Sequence, residues 1–178
     1  DSIILNPCKI STLNFTIKGY NPDTYVGKII LSSSNTIKEI PVSIDVSSLN
    51  ISFELRLDIP REYKVIKAGD GLLSQVSIFR IGAKDEIEID MEYMIKDIED
   101  NTILKGTDKK KLIDEITYPK VFQIPKSTKS GKYLLIVKAR KGEMIGVASE
   151  FFEVRNEVLP SPKFEMNYLL IGILGKLL

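Results

Sequence analysis

The stretch "DEIEIDMEYMIK" constrains this chain more than any other. Ile87, Ile89, Met91, Tyr93 and Ile95 fall on one side of a period of two, and Glu86, Glu88, Asp90 and Glu92 on the other. Successive side chains of a strand point to opposite faces, so the pattern predicts a sheet with one dry face and one wet acidic face. An acidic row of this kind is read as a solvated face that also discourages edge aggregation. The same logic predicts strands at Ile51–Ile59, Leu72–Ile81, Thr102–Lys105, Ile116–Ile124, Lys132–Ala139 and Met144–Val154, with Pro60, Gly82, Asp100-Asn101, Pro125 and Arg140–Glu143 as breaks and turns. Seven strands in about a hundred residues have the count and spacing of a β-sandwich.

Residues 1–48 read as a second, smaller β unit. Leu13–Lys18, Tyr25–Ser32 and Ile37–Val46 alternate, and three or four strands are too few to close a sandwich. The expected division is therefore 1–48, a partial or small domain; 49–156, a seven-stranded sandwich; 157–164, a linker carrying Pro160 and Pro162; and 165–178, a hydrophobic C-terminal segment.

Composition narrows the function classes. Lys and Arg total 25 against 24 Asp and Glu, so no global field draws the chain onto nucleic acid. The absence of His and the presence of one cysteine, Cys8, remove the imidazole base, most zinc chemistry and an intrachain disulfide. Cys8 reads as a structural thiol, since no imidazole is present to activate it. Asp97, Glu99, Asp100 and Asn101 cluster oxygens but lack the spacing of a calcium loop, and read as a polar turn. Gly69-Asp-Gly71 leads into a strand, where a phosphate-binding loop would lead into a helix N-terminus. No catalytic, cofactor-binding or metal residue is expected, and the chain is read as non-enzymatic. Two N-glycosylation sequons are present, at Asn14 and Asn50. The opening residues have no basic and apolar signal pattern, so export implies that the numbered chain is a processed form.

The stretch "IPKSTKSGKYLLIVKA" resembles the penultimate strand of the immunoglobulin-like and fibronectin-III-like modules of prokaryotic, especially archaeal, cell-surface proteins. Gly131 and Tyr133 match that pattern, with Ser130 where Pro is common. "AGDGLLSQVSIFRIGAKDEIEIDMEYMIKD" is similar to the second and third strands of such modules, and "YVGKIILSSSNTIKEIPVSIDV" to the last strands of another. The resemblance implies an all-β fold of tandem immunoglobulin-like sandwiches, with the Tyr133 hydroxyl capping a sandwich corner. It also implies an extracellular, cell-surface location and a structural or adhesive role, with other surface proteins or glycans as partners.

The final block, "NYLLIGILGKLL", breaks the alternation. Its eleven residues from Tyr168 to Leu178 would rise about 16 Å as a helix, roughly half of a ~30 Å hydrocarbon core. Leu169, Leu170, Ile173, Leu174 and Leu177 make it too apolar for a surface helix. Three readings remain: the start of a membrane anchor, an interfacial helix, or a strand inserted into another sandwich. The expectation is a helical anchor that holds a surface module at the membrane, the spacer-then-anchor order of the family it resembles. The rival is an extracellular filament subunit whose C-terminal segment complements a neighbouring subunit.

Overall fold

Alternation of apolar and polar side chains carries nearly every element that forms. The computed structural model describes residues 12, 16, 17, 19–82 and 85–156. Ten strands and one 3-10 turn at Arg61–Tyr63 make up the regular structure of these residues.

The strands are β1 (Asp23–Ser32), β2 (Ile37–Val46), β3 (Phe53–Asp58), β4 (Val65–Lys67), β5 (Gly71–Arg80), β6 (Ile87–Asp97), β7 (Thr102–Leu112), β8 (Glu115–Gln123), β9 (Gly131–Lys141) and β10 (Met144–Arg155). Strands β3 to β10 build an all-β sandwich from a three-stranded sheet, β3-β5-β8, and a five-stranded sheet, β4-β10-β9-β6-β7. All neighbours are antiparallel except β4, which runs parallel to β10. Strands β1 and β2 form a separate two-stranded sheet, Asp23 opposite Val46 and Ser32 opposite Ile37.

The core lies where the two inner faces meet. Ile89, Met91, Tyr93, Leu135 and Val137 come from the five-stranded sheet, and Leu72, Val76, Ile78 and Phe122 from the other, all buried. At Gly146 the sheets approach so closely that a Cβ would meet Phe53 Cε2 at 2.8 Å, so β10 needs glycine there. At the hairpin between β9 and β10, Gly142 takes φ 57°, a left-handed value at which glycine carries no Cβ penalty.

Two strands differ from expectation. The strand expected to end at Lys105 continues to Leu112, because Lys105, Lys109 and Lys111 face outward and pair with carboxylates of β6 and with Glu86 just ahead of it. Val65–Lys67 adds a short parallel strand at the sheet edge, making eight strands in the sandwich. Cys8, Asn14, residues 157–164 and the C-terminal block with Leu169, Leu170, Ile173, Leu174 and Leu177 lie outside the described residues, as does most of the strand expected at Leu13–Lys18. Among the described residues no helix is long and apolar enough to cross a membrane.

Candidate interaction surfaces

The outer face of the five-stranded sheet is divided. Along β6 and β7 it is a charge ladder. Lys105 pairs with Glu92 at 2.6 Å, Lys109 with Glu88 at 2.7 Å and Asp90 at 3.4 Å, and Lys111 with Glu86 at 2.9 Å. The acidic row is thus answered by a lysine row, and these exposed cross-strand pairs contribute little individually. Along β9 and β10, and at Met94 near the end of β6, the same face is dry: Met94, Leu134, Ile136 and Val147 form a second buried cluster, with Ile145 and Phe151 against it. The sequence signal for this patch is the unbroken run Tyr133-Leu-Leu-Ile-Val137, the mark of a strand covered on both faces.

The β1–β2 hairpin covers part of that patch. Val26 packs on the cluster, and Asp23 pairs with Lys138 at 2.6 Å. Burial raises the Asp23 carboxyl pKa, but hydrogen bonds from Lys138 and the Thr24 N–H outweigh it and hold the group below its usual range. The chain then leaves β2 along the edge of β10. Ser48 N–H donates to Ile145 O at 2.9 Å, Ile145 N–H to Ser48 Oγ at 2.9 Å, and Val147 N–H to Ser47 Oγ at 3.1 Å. The junction at Ser47 and Ser48, where the expected boundary between the two β units falls, is therefore bonded to the sandwich. Asn50 follows it in an exposed turn.

The hairpin's other face has a different character. Tyr25, Ile29 and Leu31 on β1 stand opposite Ile44, Ile40 and Lys38 on β2, with Val42 between the two isoleucines. Two shallow cavities of about 250 Å³ each lie on this side, lined by Ile17, Tyr25, Ile44 and, in the second, Ile29 and Val42.

A third feature lies at the open side of the sandwich, between the edge strands β7 and β8. Tyr93 and Tyr118 bring their hydroxyls to 2.7 Å. Lys110 stands 4.7 Å over the Tyr118 ring, and Lys120 at 4.7 Å over the Tyr93 ring. Asp108 accepts from Lys110 at 2.8 Å and lies 3.6 Å from Lys120. Burial pushes both phenols up, and the nearby Asp108 carboxylate adds to the rise of each. The Lys110 hydrogen bond holds Asp108 below the ordinary carboxylate range. Neither tyrosine is a candidate base at neutral pH, and inward-pointing charges on two edge strands are a device against edge-to-edge pairing.

No family model matches the chain. No curated protein matches it either. Among solved structures it is similar to the sporulation control protein of Bacillus subtilis, at 14% identity and TM-score 0.45, over 60% of this chain and 50% of that one. A CARDB domain from Pyrococcus furiosus, in complex with di-metal ions, aligns at 10% identity and TM-score 0.41, over 59% and 94%. A β-glucosidase from Listeria innocua aligns at 18% and 0.46, over 66% and 17%. The chain thus spans half the length of the first and under a fifth of the third. All three fall below a TM-score of 0.5, and the β-sandwich rests on its own strand order.

The remaining residues singled out in the sequence take clear places. Tyr133, at the start of β9, donates its hydroxyl to Lys129 O at 2.7 Å, four residues upstream. Asp97 accepts from the backbone N–H of Glu99 and Asn101, both at 2.9 Å, and from Asn101 Nδ2 at 3.0 Å. Those bonds close the turn from β6 to β7, where Asp100 takes φ 70°. Among the described residues, no three His, Cys, Asp or Glu side chains stand together as a metal site.

Proposed function

We propose that the chain is a non-enzymatic structural or adhesive module of a prokaryotic cell surface or envelope, with two immunoglobulin-like β units in tandem and residues 165–178 as its membrane attachment. The observation that carries this reading is the junction between the hairpin and the sandwich. A flexible linker would leave the two units free to turn. Here Ser47 and Ser48 bond to the edge of β10, and Asp23 and Val26 fix the hairpin to the outer sheet face. A spacer that must hold a geometry outside the cell benefits from such a joint. The Tyr133 corner and the resemblance of its strand to surface modules support the same reading. The exposed turn at Asn50 is accessible to a glycosylating enzyme.

A second reading, a filament subunit that accepts a neighbour's C-terminal segment, is favoured by the apolar outer side of the hairpin. Fractionation of source cells tests the first proposal. The surface reading expects the protein in the washed envelope fraction with added sugar mass at Asn14 or Asn50. Unmodified protein in the cytosol overturns it.

A further inference from the structure

The sequon Asn50-Ile51-Ser52 exposes its asparagine but anchors the two residues that follow it. A glycosylating enzyme takes up the tripeptide as a unit, since the hydroxyl two residues after the asparagine is part of the signal it reads. In the folded chain that hydroxyl is engaged: Arg80 Nη1 donates to Ser52 Oγ at 3.0 Å, from a side chain only 7% exposed. Ser52 O accepts the Ile81 N–H at 2.8 Å, and the next residue, Phe53, stands opposite Arg80 in the β3–β5 ladder. Ile51 packs against the main core, and its Cδ1 lies 2.9 Å from where a Cβ on residue 146 would stand. On the other side, Ser48 exchanges two hydrogen bonds with Ile145. Leu49 and Asn50 are thus a two-residue turn held between fixed points on β10 and β5. Lifting the tripeptide into another protein's groove would withdraw Ile51 from the core and break the bonds of Ser52, so it requires the start of β3 to unfold locally.

We propose that Asn50 is a modification site open only to the unfolded chain, glycosylated before β3 joins β5. The donor is a lipid-phosphate-linked oligosaccharide. Asn50 Nδ2 bonds to its anomeric carbon, the bond from that carbon to the phosphate oxygen breaks, and one Nδ2 proton passes through the enzyme to solvent. Once the sandwich closes, the exposed turn leaves the sugar projecting into solvent beside the joint at Ser47 and Ser48. This order of events, modification first and folding second, rests on the surface reading, in which the chain meets such an enzyme.

The test incubates the folded full chain carrying Asn14→Gln with an archaeal oligosaccharyltransferase and its lipid-linked oligosaccharide. A parallel reaction uses an unstructured peptide of residues 46–56. Mass spectrometry should show the peptide modified at Asn50 at least ~100-fold faster than the folded chain. Comparable rates overturn the proposal and leave the surface reading standing. A peptide that stays unmodified removes Asn50 as a glycosylation site, and the proposal with it. A second full chain also carries Ser34→Asn, which creates a sequon with Thr36 at the exposed tip of the β1–β2 hairpin. Modification at the tip while Asn50 stays bare attributes the block to the anchored tripeptide. Refusal at both sites assigns it to the bulk of the folded chain and overturns the proposal.

Discussion

The hydroxyls of Tyr93 and Tyr118 meet at 2.7 Å across the sandwich, joining β6 of the five-stranded sheet to β8 of the three-stranded one. Tyr93 is fully buried, so its hydroxyl has few alternative partners once Tyr118 is gone. Tyr118→Phe should cost about 1–2 kcal/mol in urea denaturation. Adding Tyr93→Phe should recover part of that loss, because no polar group is then left unpaired. Strictly additive costs for the two substitutions would contradict the bridge.

Met91 and Glu92 are sequence neighbours on opposite faces of β6, one buried and one paired with Lys105 at the surface. Met91→Asp should cost more than about 3 kcal/mol, since it buries a charge without a partner. Glu92→Gln should stay within about 0.5 kcal/mol. Thermal scans of the two variants read the difference directly, and comparable losses would mean that the two faces are misassigned.

Lys110 and Lys120 point into the open side of the sandwich from edge strands β7 and β8. If they serve to keep those edges from pairing, replacing both with leucine should leave the melting temperature unchanged or raised and yet promote association, visible by sedimentation velocity. A variant that stays monomeric at high concentration would show that the charges have another role.

With no His in the chain, side-chain titration should leave stability flat between about pH 5.5 and 8. The folded-state carboxyl pKa values of Asp23, Asp97, Asp108 and Glu153 are depressed. Each therefore contributes stability that is complete above its unfolded value, near 4, and is lost as pH falls through the lower folded value. Melting temperature should hold down to about pH 5 and decline below about pH 4. Asp108→Asn should shrink that decline. A midpoint of stability loss near pH 6 would contradict the assignment.

Much of the sandwich was legible in the sequence because one-sided burial writes itself as a period of two. Ile87 to Ile95 and the break at Asp100-Asn101 are examples. Strand β7 was cut short because "KGTDKKKL" carries charge on both faces; its inward Asp108 and Lys110 sit at an open edge where water and a phenol ring accept them. Val65–Lys67 is too short to show a period. The dry patch of Leu134 and Ile136 was present in the sequence as an apolar run, but what covers it depends on the fold-back of a hairpin about a hundred residues earlier. The Tyr93–Tyr118 pair was invisible for the same reason, since it joins strands of different sheets.

The surface reading stands or falls on whether residues 165–178 bind lipid, and flotation of the purified full chain with lipid vesicles measures that most directly. Burying several Leu and Ile side chains at about 25 cal/mol per Å² is worth on the order of 10 kcal/mol gross, ample for stable partition. The account predicts that the full chain floats with the vesicles, and that the same chain lacking residues 165–178 stays at the bottom as a monomer with an unchanged melting temperature. A full chain that remains unbound, or a shortened one that floats equally well, would contradict it.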